Sequence, residues 1–302
     1  MRLPRIGQGT WGFGERPGRH KAEVDALREG FSLGMTLVDT AELYSDGESE
    51  RVVADAIRDC RDEVFLITKI WPSHADPGGM RRRLEASLRR LRVDFVDVAL
   101  LHWPTRSVPL SRQVEGLTAL REASLAREVG VSNFPTPLAA AALPALYGDG
   151  PERVFYHELP YSLEDRRVEQ SLLPQVQERL GVLLAYSPLG HGRLLHRAGP
   201  GRDALAAVAA RHDATPAQVA LAFTLAAPRV VTLAKAADPA HVRQNAASAD
   251  LVLQEQDLAE LERAFPRGER DIGYSLPPYG AFLALAQQSL GLAQSLRGRH
   301  RA

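Results

Sequence analysis

The fold of this chain is decided by the stretch Leu37-Val38-Asp39-Thr40-Ala41-Glu42-Leu43-Tyr44, in which a short apolar run stops at a carboxylate. The pattern recurs where Phe65-Leu66-Ile67-Thr68-Lys69 stops at a lysine and where Leu100-Leu101-His102 stops at a histidine. Such runs are typical of strands that are buried on both faces, as in parallel sheets covered by helices. The pattern therefore predicts an α/β protein with ionisable side chains at its strand ends.

Eight strand candidates alternate with helix candidates along the chain. We predict strands over residues 5–9, 36–39, 64–69, 95–100, 128–132, 154–157, 182–186 and 230–233, and helices over 20–33, 48–58, 79–91 and 111–123. Ser111 before Glu115 and Thr215 before Pro216 are helix start signals. Because eight parallel strands close into a barrel and no linker interrupts residues 1–265, we predict a single-domain (β/α)8 TIM barrel.

Residues 266–302 form an extension after the barrel. Residues 266–280 contain proline, glycine and tyrosine without periodicity, which predicts an ordered or lid-like loop. One helical face follows, formed by Phe282, Leu285, Leu292 and Leu296. We expect this helix to pack on the barrel or to form a subunit contact, and the oligomeric state, monomer or homo-oligomer, stays open.

Composition restricts the class of partner. The formal net charge is zero, which argues against nucleic acid or an acidic membrane as the main partner. No apolar run approaches the roughly 20 residues that cross a bilayer, and residues 1–7 lack the apolar core of a signal peptide. Cys60 is the only cysteine, and we interpret it as structural. We expect a cytoplasmic protein that acts on a small molecule.

Lysine is unusually rare. Lysine and arginine total 37, yet the lysines are limited to Lys21, Lys69 and Lys235. Arginine serves wherever only positive charge is needed, whereas a compact ammonium that can change protonation requires lysine. Lys69 and Lys235 both follow apolar runs and are therefore candidate functional residues.

One glycine motif resembles a dinucleotide-binding fingerprint. Gly7-Gln8-Gly9-Thr10-Trp11-Gly12 matches G-x-G-x-x-G, and Asp39 ends the next strand. That fingerprint requires a helix to begin at the glycines, so that its N-terminus faces the pyrophosphate. Residues 13–18 contain glycine and proline and break helices. The motif therefore predicts a close-approach loop at a barrel mouth rather than a Rossmann fold.

The strand ends together suggest acid–base chemistry. Tyr44, with an ordinary pKa near about 10, is a poor acid near neutrality, and a neighbouring ammonium lowers that pKa. Buried Lys69 would lose its charge unless a carboxylate such as Asp39 kept it protonated. His102 can donate to a substrate oxygen. The set contains no nucleophile with an adjacent base and no metal-binding spacing, so a proton donor here implies a redox cofactor.

Each of these residues has a structural alternative when it is taken singly. Asp39 could cap the next segment, Tyr44 could pack a loop, and His102 could be a satisfied core histidine. The coincidence of all four at three successive strand ends favours the functional interpretation, because barrel enzymes carry their chemistry at that face.

These residues and their surroundings resemble the aldo-keto reductase family over nearly the whole chain, from about Pro4 to Phe265. The matching stretches are Gly7-Gln8-Gly9-Thr10-Trp11, Val38–Tyr44, Leu66–Lys69, Leu101-His102-Trp103-Pro104, Gly130–Phe134, Ala185–Gly190 and Asn245-Ala246-Ala247. The resemblance implies a (β/α)8 barrel, NADPH as cofactor with NADH as the alternative, and a small carbonyl substrate. It implies the catalytic set Asp39, Tyr44, Lys69 and His102, with Tyr44 as general acid.

The resemblance also implies contacts to the cofactor and the substrate. Ser132 and Asn133 would hold the nicotinamide carboxamide, Tyr186 would stack on its ring, and residues 187–190 would cradle the pyrophosphate. The complete implied cofactor set is Thr10, Trp11, Asp39, Ser132, Asn133, Glu158, Tyr186, Ser187, Pro188, Leu189, Gly190, Lys235, Ala236, His241, Gln244 and Asn245. Lys235 would meet the adenosine phosphate and Asn245 the adenine. The implied substrate set is Trp11, Tyr44, Trp71 and His102, whereas Trp103 is either part of the pocket wall or outer packing.

Two positions depart from the family pattern. His157 and Glu158 align with an Asn-Gln pair, and an ionised glutamate could accept only from the amide NH₂ of nicotinamide. Ala236 follows Lys235 where many NADP-dependent members have serine, and His241 stands where they have arginine. This last segment resembles a bacterial branch that reduces methylglyoxal and similar 2-oxoaldehydes.

A second interpretation comes from another functional class. Some proteins with this fold are redox-sensing regulatory subunits of ion channels with slow turnover. They carry the same four residues, so the motif alone does not distinguish them from free-standing enzymes.

Overall fold

The computed structural model describes residues 3–147, 154–178, 181–196 and 198–268. Within these residues the strands pair in chain order, all in parallel, and the last strand pairs with the first. The predicted (β/α)8 barrel is therefore confirmed. The strands are β1 (Ile6–Gly9), β2 (Leu37–Asp39), β3 (Phe65–Ile70), β4 (Val96–Leu101), β5 (Ala126–Ser132), β6 (Tyr156–Pro160), β7 (Val182–Tyr186) and β8 (Val230–Ala234).

Helices follow the strands and cover the outside of the barrel. The four helices predicted by periodicity are present, with ends that differ by one or two residues from the prediction. The helices of the described residues are α1 (His20–Ser32), α2 (Glu48–Ile57), α3 (Pro77–Leu91), α4 (Leu110–Glu122), α5 (Thr136–Tyr147), α6 (Leu172–Glu178), α7 (Arg193–His196), α8 (Pro200–Arg211), α9 (Pro216–Ala226), α10 (Pro239–Ala247) and α11 (Glu255–Ala264).

The two predicted helix starts have different outcomes. Thr215 caps α9, because its hydroxyl accepts from the Gln218 amide while the Gln218 side chain accepts from the Thr215 amide. The prediction that Ser111 begins α4 is wrong, since the helix begins at Leu110 after Pro109. The Gln113 side chain donates to backbone carbonyls of the preceding loop and holds the chain at that entry.

Strand β6 lies two to three residues further along the chain than predicted. It pairs with β7 as far as Pro160, which is opposite Tyr186. The proline nitrogen has no hydrogen to donate, and Pro160 is tolerated because it is the last residue of the strand. His157 and Glu158 therefore lie inside the strand, and pairing with two neighbours, rather than the apolar run itself, decides its limits.

Strand residues alternate between the barrel interior and the helix layer. The inner cluster, which fills the barrel, comprises Leu37, Ile67, Val98, Leu100, Tyr156, Val182, Leu184, Val231 and Leu233. Their neighbours in sequence, such as Val38, Leu66 and Leu183, pack outward against the helices. This period of two determines which residues at the strand ends point into the barrel mouth.

The glycine motif in β1 does not open a helix. Turns follow β1, and α1 begins only at His20. Gly7 instead permits close packing, because a Cβ there would lie 2.6 Å from the Leu37 Cδ2 atom. The rejection of a Rossmann fold is therefore correct.

The predicted loop and helix of the extension fall on residues 266–302, of which 269–302 lie outside the described residues. A search of the described helices finds none that is long and apolar enough to cross a membrane.

Candidate active site

A layer of polar side chains lies above the inner cluster at the carboxyl ends of the strands. Each member stands two residues beyond an inward-facing residue, so the alternation of the strand turns it toward the barrel axis. We call it the upper layer; its members are Asp39, Lys69, His102, Glu158, Tyr186 and Lys235. The apolar run beneath each member therefore also determines where its functional group lies.

Lys69 is the centre of the upper layer and is fully buried. Its Nζ atom donates to both Asp39 oxygens, at 2.6 and 2.7 Å, and to the Thr40 carbonyl at 3.1 Å. The same Nζ lies 3.0 Å from the Tyr44 hydroxyl and 3.4 Å from Oε2 of Glu158. One ammonium thus contacts a tyrosine and two carboxyl groups that come from two strands, β2 with its following loop and β6.

Tyr44 and His102 face each other across the mouth of the barrel. Tyr44 begins a short turn, Tyr44–Gly47, and its ring meets the His102 ring edge-on at 5.8 Å between centroids. Trp71 meets the other side of His102 at 5.6 Å. The four residues predicted to be catalytic, Asp39, Tyr44, Lys69 and His102, are therefore brought together within one cluster.

Burial controls the protonation states of this cluster. Burial alone would lower the pKa of Lys69, but the negative charge of Asp39 outweighs it, and the pKa is raised. Burial raises the pKa of Tyr44 above its ordinary value, although Lys69 acts in the opposite direction. The expected lowering of the Tyr44 pKa by Lys69 is thus outweighed, and the residue stays a protonated donor.

His102 and Glu158 are both held in their neutral forms. Burial, followed by the charge of Lys69, lowers the pKa of His102 well below its ordinary value. Burial raises the pKa of Glu158 well above its ordinary value, and the neighbouring Asp39 raises it further. The ionised glutamate that we expected from the sequence is therefore a neutral acid here, able to donate as well as accept.

Asn133 connects several predicted cofactor residues. Its side-chain amide donates to the His102 carbonyl at 3.0 Å and to the Ser132 hydroxyl at 3.0 Å, and its oxygen accepts from the Tyr186 hydroxyl at 2.8 Å. Its backbone amide donates to the Glu158 carbonyl at 3.0 Å. Asn133 thus fixes the positions of residues after β4, at β5, in β6 and at the end of β7.

The segment after β7 turns sharply at the rim of the barrel. Ser187 and Gly190 adopt positive φ values of 51° and 56°, and the Gly190 amide donates to the Ser187 carbonyl at 2.9 Å. Trp11, in the loop after β1, is 60% exposed, and its ring lies 5.1 Å from the His191 ring. Pro188 and Leu189 lie within the same turn, so residues 187–190 immediately precede the residue that contacts Trp11.

The β8 end presents exposed polar groups near α10. Lys235 is exposed, and its Nζ lies 5.4 Å from the centroid of the Phe13 ring. Asp238 caps α10 by accepting from the Ala240 amide. Ala236 is half-buried, His241 and Gln244 are exposed, and Asn245 is buried in the same helix.

Thr10, predicted as a cofactor contact, and Trp103, for which two positions were left open, are both buried. Thr10 is fully buried, its hydroxyl donates to the Asp39 carbonyl at 2.9 Å, and its amide donates to the same atom. This geometry favours a role in positioning Asp39 over a direct cofactor contact. Trp103 is buried as well, which favours outer packing over a place in the pocket wall.

Glu42 is a site residue that the sequence analysis missed. Its carboxylate accepts from the Trp71 amide at 2.7 Å and from the Arg83 Nε at 2.6 Å, and so fixes the loop that carries Trp71. Its place between Asp39 and Tyr44 was the available signal. The partner Arg83 is 41 residues away along the chain, and nothing local predicts that contact.

The upper layer can accommodate a redox cofactor. Within the described residues, Oε2 of Glu158 and Nδ1 of His102 are buried without a hydrogen-bond partner. Buried polar atoms of this kind are costly unless a ligand or water satisfies them. The search of the described residues for groups of three or more metal-ligating side chains finds none.

Comparisons with known proteins agree with this geometry. A model of the family described as aldo/keto reductase matches residues 5–265. Methylglyoxal reductase YeaE of Escherichia coli (strain K12) is 40% identical over 267 residues, which cover 87% of this chain and 92% of that protein.

Two solved structures from Klebsiella pneumoniae are similar over most of their length. An aldo/keto reductase in complex with NADP and acetate is 39% identical with a TM-score of 0.80, covering 89% of this chain and 94% of that one. An aldo-keto reductase in complex with NADPH is 38% identical with a TM-score of 0.83, covering 91% and 95%. The family model, over residues 5–265, includes every strand of the barrel and the strand ends that carry the upper layer.

Proposed function

The chain belongs to the aldo/keto reductase family, and we propose that it reduces small aldehydes and ketones with NADPH, using Tyr44 as the proton donor. The observation that carries this proposal is the contact of 3.0 Å between the Tyr44 hydroxyl and the buried ammonium of Lys69. A protonated tyrosine beside a fixed positive charge can give its proton to a carbonyl oxygen while the charge stabilises the remaining tyrosinate.

Each member of the cluster has a separate task in this proposal. Asp39 keeps Lys69 protonated through two short hydrogen bonds. Neutral His102 lies beside the Tyr44 ring and donates to the carbonyl oxygen, which orients the substrate. The bound nicotinamide supplies the hydride. Tyr44 then recovers its proton from solvent, because the raised pKa keeps the hydroxyl form dominant near neutrality.

The residues present fit an extended nicotinamide cofactor. Ser132, Asn133 and the neutral carboxyl of Glu158 offer donors and acceptors to the carboxamide, and Tyr186 offers a ring face for stacking. The turn over residues 187–190 presents backbone groups to the pyrophosphate. Lys235 lies near the N-terminus of α10, where a cation and helix amides favour the 2′-phosphate of NADPH over NADH. Ala236, His241, Gln244 and Asn245 complete the adenosine end, with NADH as a weaker alternative.

We propose 2-oxoaldehydes such as methylglyoxal as the substrate class. The rim residues Trp11 and Trp71 provide apolar walls, and the upper layer provides donors for a carbonyl oxygen. The relative named as a methylglyoxal reductase supports this choice. A compact dicarbonyl places its aldehyde carbon near Tyr44 without requiring a deep apolar cavity.

Turnover of a substrate panel tests the proposal. Methylglyoxal, simple aldehydes, ketones and aldose sugars are each mixed with purified protein and NADPH, and the loss of NADPH absorbance is followed. We expect methylglyoxal or a related 2-oxoaldehyde to show the highest kcat/KM, with kcat roughly within the usual enzymatic range of 1–10³ s⁻¹. Binding of NADPH with negligible turnover on every carbonyl would contradict the enzymatic proposal and favour a redox-sensing role.

A further inference from the structure

Glu158 adds a second carboxyl group to a buried site that contains one ammonium. Lys69 makes its short contacts to Asp39, while Oε2 of Glu158 lies 3.4 Å from the same Nζ. The three side chains are at most 5% exposed. One ammonium balances one carboxylate, and a second buried carboxylate would be left uncompensated. Glu158 therefore holds a proton in the free protein, and the raised pKa of its carboxyl agrees with this.

The reactive end of the cofactor must come close to this carboxyl group. In the proposed function, Tyr44 reaches the carbonyl oxygen while the hydride donor contacts the carbonyl carbon, at about 3–3.5 Å. Lys69 Nζ links the Tyr44 hydroxyl at 3.0 Å to Glu158 at 3.4 Å. Oε2 of Glu158 lies beside the same ammonium as the Tyr44 hydroxyl and makes no hydrogen bond within the described residues. In the proposed function we therefore expect the nicotinamide ring to lie close to this carboxyl group.

We propose that Glu158 ionises when the oxidised cofactor binds, so that binding of NADP⁺ releases a proton to solvent whereas binding of NADPH does not. The inference rests on the proposed function and concerns the charge state of its site. The oxidised nicotinamide ring is positively charged and the reduced ring is neutral. The O–H bond of the carboxyl breaks, the proton passes to water, and the carboxylate remains opposite the positive ring. No electrons are transferred in this step.

Apart from Asp39, the other titratable groups that face Glu158 keep their protonation state near neutrality. Lys69, from β3, has a raised pKa and stays charged. Tyr44, in the loop after β2, and Tyr186, at the end of β7, have pKa values raised by burial and stay protonated. His102, after β4, has a lowered pKa and stays neutral. Asp39, from β2, forms the Lys69 ion pair, and together with Glu158 it is the carboxyl pair that titrates.

This linkage makes the preference between the two cofactor states depend on pH. As the pH rises, the proton no longer has to be expelled, so the affinity for NADP⁺ increases relative to that for NADPH by up to about tenfold per pH unit. Product release after carbonyl reduction is therefore easier at lower pH. A glutamine at this position has no proton to lose and removes the effect.

Calorimetry of cofactor binding tests the inference without measuring activity. NADP⁺ and NADPH are each titrated into the wild-type protein at one pH, in buffers that differ in ionisation enthalpy, and the proton count comes from the difference in heat. Both cofactors carry the same phosphates, so these contribute equally. We expect proton release with NADP⁺ and none with NADPH, and no difference between the cofactors for Glu158→Gln.

Two other outcomes separate the inference from the function on which it rests. Equal proton release for both cofactors, or release with NADP⁺ that persists in Glu158→Gln, would overturn the role of Glu158. Failure of the wild-type protein to bind either cofactor would overturn the proposed function instead. If Glu158→Gln does not fold, as judged by circular dichroism, an NADP⁺ to NADPH affinity ratio in the wild type that is constant with pH overturns the inference.

Discussion

Two clusters of buried charge in this barrel are built on different principles. In the structural cluster, formed by Arg166, Glu169, Glu262 and Tyr161, the Arg166 guanidinium binds Glu169 through two bonds of 2.8 Å. It also binds Glu262 at 2.9 Å and the Phe265 carbonyl at 3.2 Å, and Tyr161 donates to Glu169 at 2.9 Å. In the upper layer, by contrast, one ammonium faces two carboxyl groups, and Oε2 of Glu158 has no hydrogen-bond partner among the described residues.

The contrast shows that the residues that stabilise the fold and the residues proposed to carry out the chemistry form separate clusters. The structural cluster holds the chain after β6 to the end of α11 and satisfies the donors of its arginine. The upper layer keeps neutral acids and a protonated tyrosine at positions where burial makes charge costly. Functional sites commonly sacrifice local stability in this way. Substitutions in the two clusters should therefore affect different measurements.

The largest effect is expected for Tyr44→Phe. The substitution removes the proton donor but preserves the ring that contacts His102, so kcat should fall by about 10²–10⁴-fold, the usual contribution of general acid catalysis. The dissociation constant of NADPH, measured by fluorescence titration, should change little. A kcat equal to that of the wild type would refute the assignment of Tyr44. Tyr161→Phe is the matched control, since it removes a buried hydroxyl from the structural cluster and should leave kcat intact.

Arg166→Met should lower the stability of the protein and leave kcat unchanged, the opposite of the effect expected for Tyr44→Phe. Removing the guanidinium leaves the Glu169 carboxylate with Tyr161 and the exposed Arg267 as its partners, which should cost at most about 3 kcal/mol of unfolding free energy. Chemical denaturation measures the loss, and kcat of the remaining folded protein should be unchanged. Glu262→Gln removes a partner whose side chain is 47% exposed and should cost at most about 1 kcal/mol. Equal losses for the two variants would show that the guanidinium bonds are not what stabilises this region.

His157, in β6, extends the comparison to a buried titratable group whose pKa is shifted by burial rather than by a neighbouring charge. Burial lowers the pKa of His157 to about 3 from 6.5, against a smaller opposing effect of the Phe134 backbone. Because the unfolded chain then binds the proton more readily, stability decreases as the pH falls below 6.5 and continues to decrease to about 3. The loss from this residue between pH 8 and pH 5 amounts to about 2 kcal/mol.

The variant His157→Asn tests this pH dependence of stability. Asparagine does not titrate, so the variant should lose less unfolding free energy than the wild type over the same pH interval, as measured by urea denaturation. Asp39, Glu158 and His102 are present in both proteins, so their contributions cancel when the unfolding free energy of the variant is subtracted from that of the wild type. Parallel pH curves would mean that His157 is not held neutral in the folded protein.

The smallest effect is expected for Lys235→Ala, at the exposed edge of the upper layer. A charge-assisted hydrogen bond to the 2′-phosphate contributes about 1.5–3 kcal/mol, and the absence of a hydroxyl at Ala236 favours the lower end. The wild type should therefore prefer NADPH over NADH by roughly tenfold in kcat/KM, and the variant should lose this preference. Lys21→Ala is the matched control, since Lys21 is 88% exposed and bound to Asp25. An unchanged preference in Lys235→Ala would remove the residue from the phosphate site.

Local pattern was sufficient to predict the barrel and most of the polar residues at its mouth. The apolar runs ending at Asp39, Lys69 and His102 predicted both the strands and the groups above them, because the alternation of a strand is a property of the backbone. The helix start at Thr215 was likewise predicted from two adjacent residues, Thr215 and Pro216. Each of these features depends on neighbours in the chain, and a single sequence contains that information.

Only the tertiary structure decided the charge states and the partners across the barrel. Glu158 meets Lys69, and Glu42 meets Arg83, because strands and helices far apart in sequence converge at one rim. The limits of β6 followed from pairing with both neighbours rather than from its own residues. Burial then raised the pKa of Tyr44 where the sequence suggested a lowering by Lys69. Desolvation depends on every atom packed around a group, and no local pattern of residues contains that quantity.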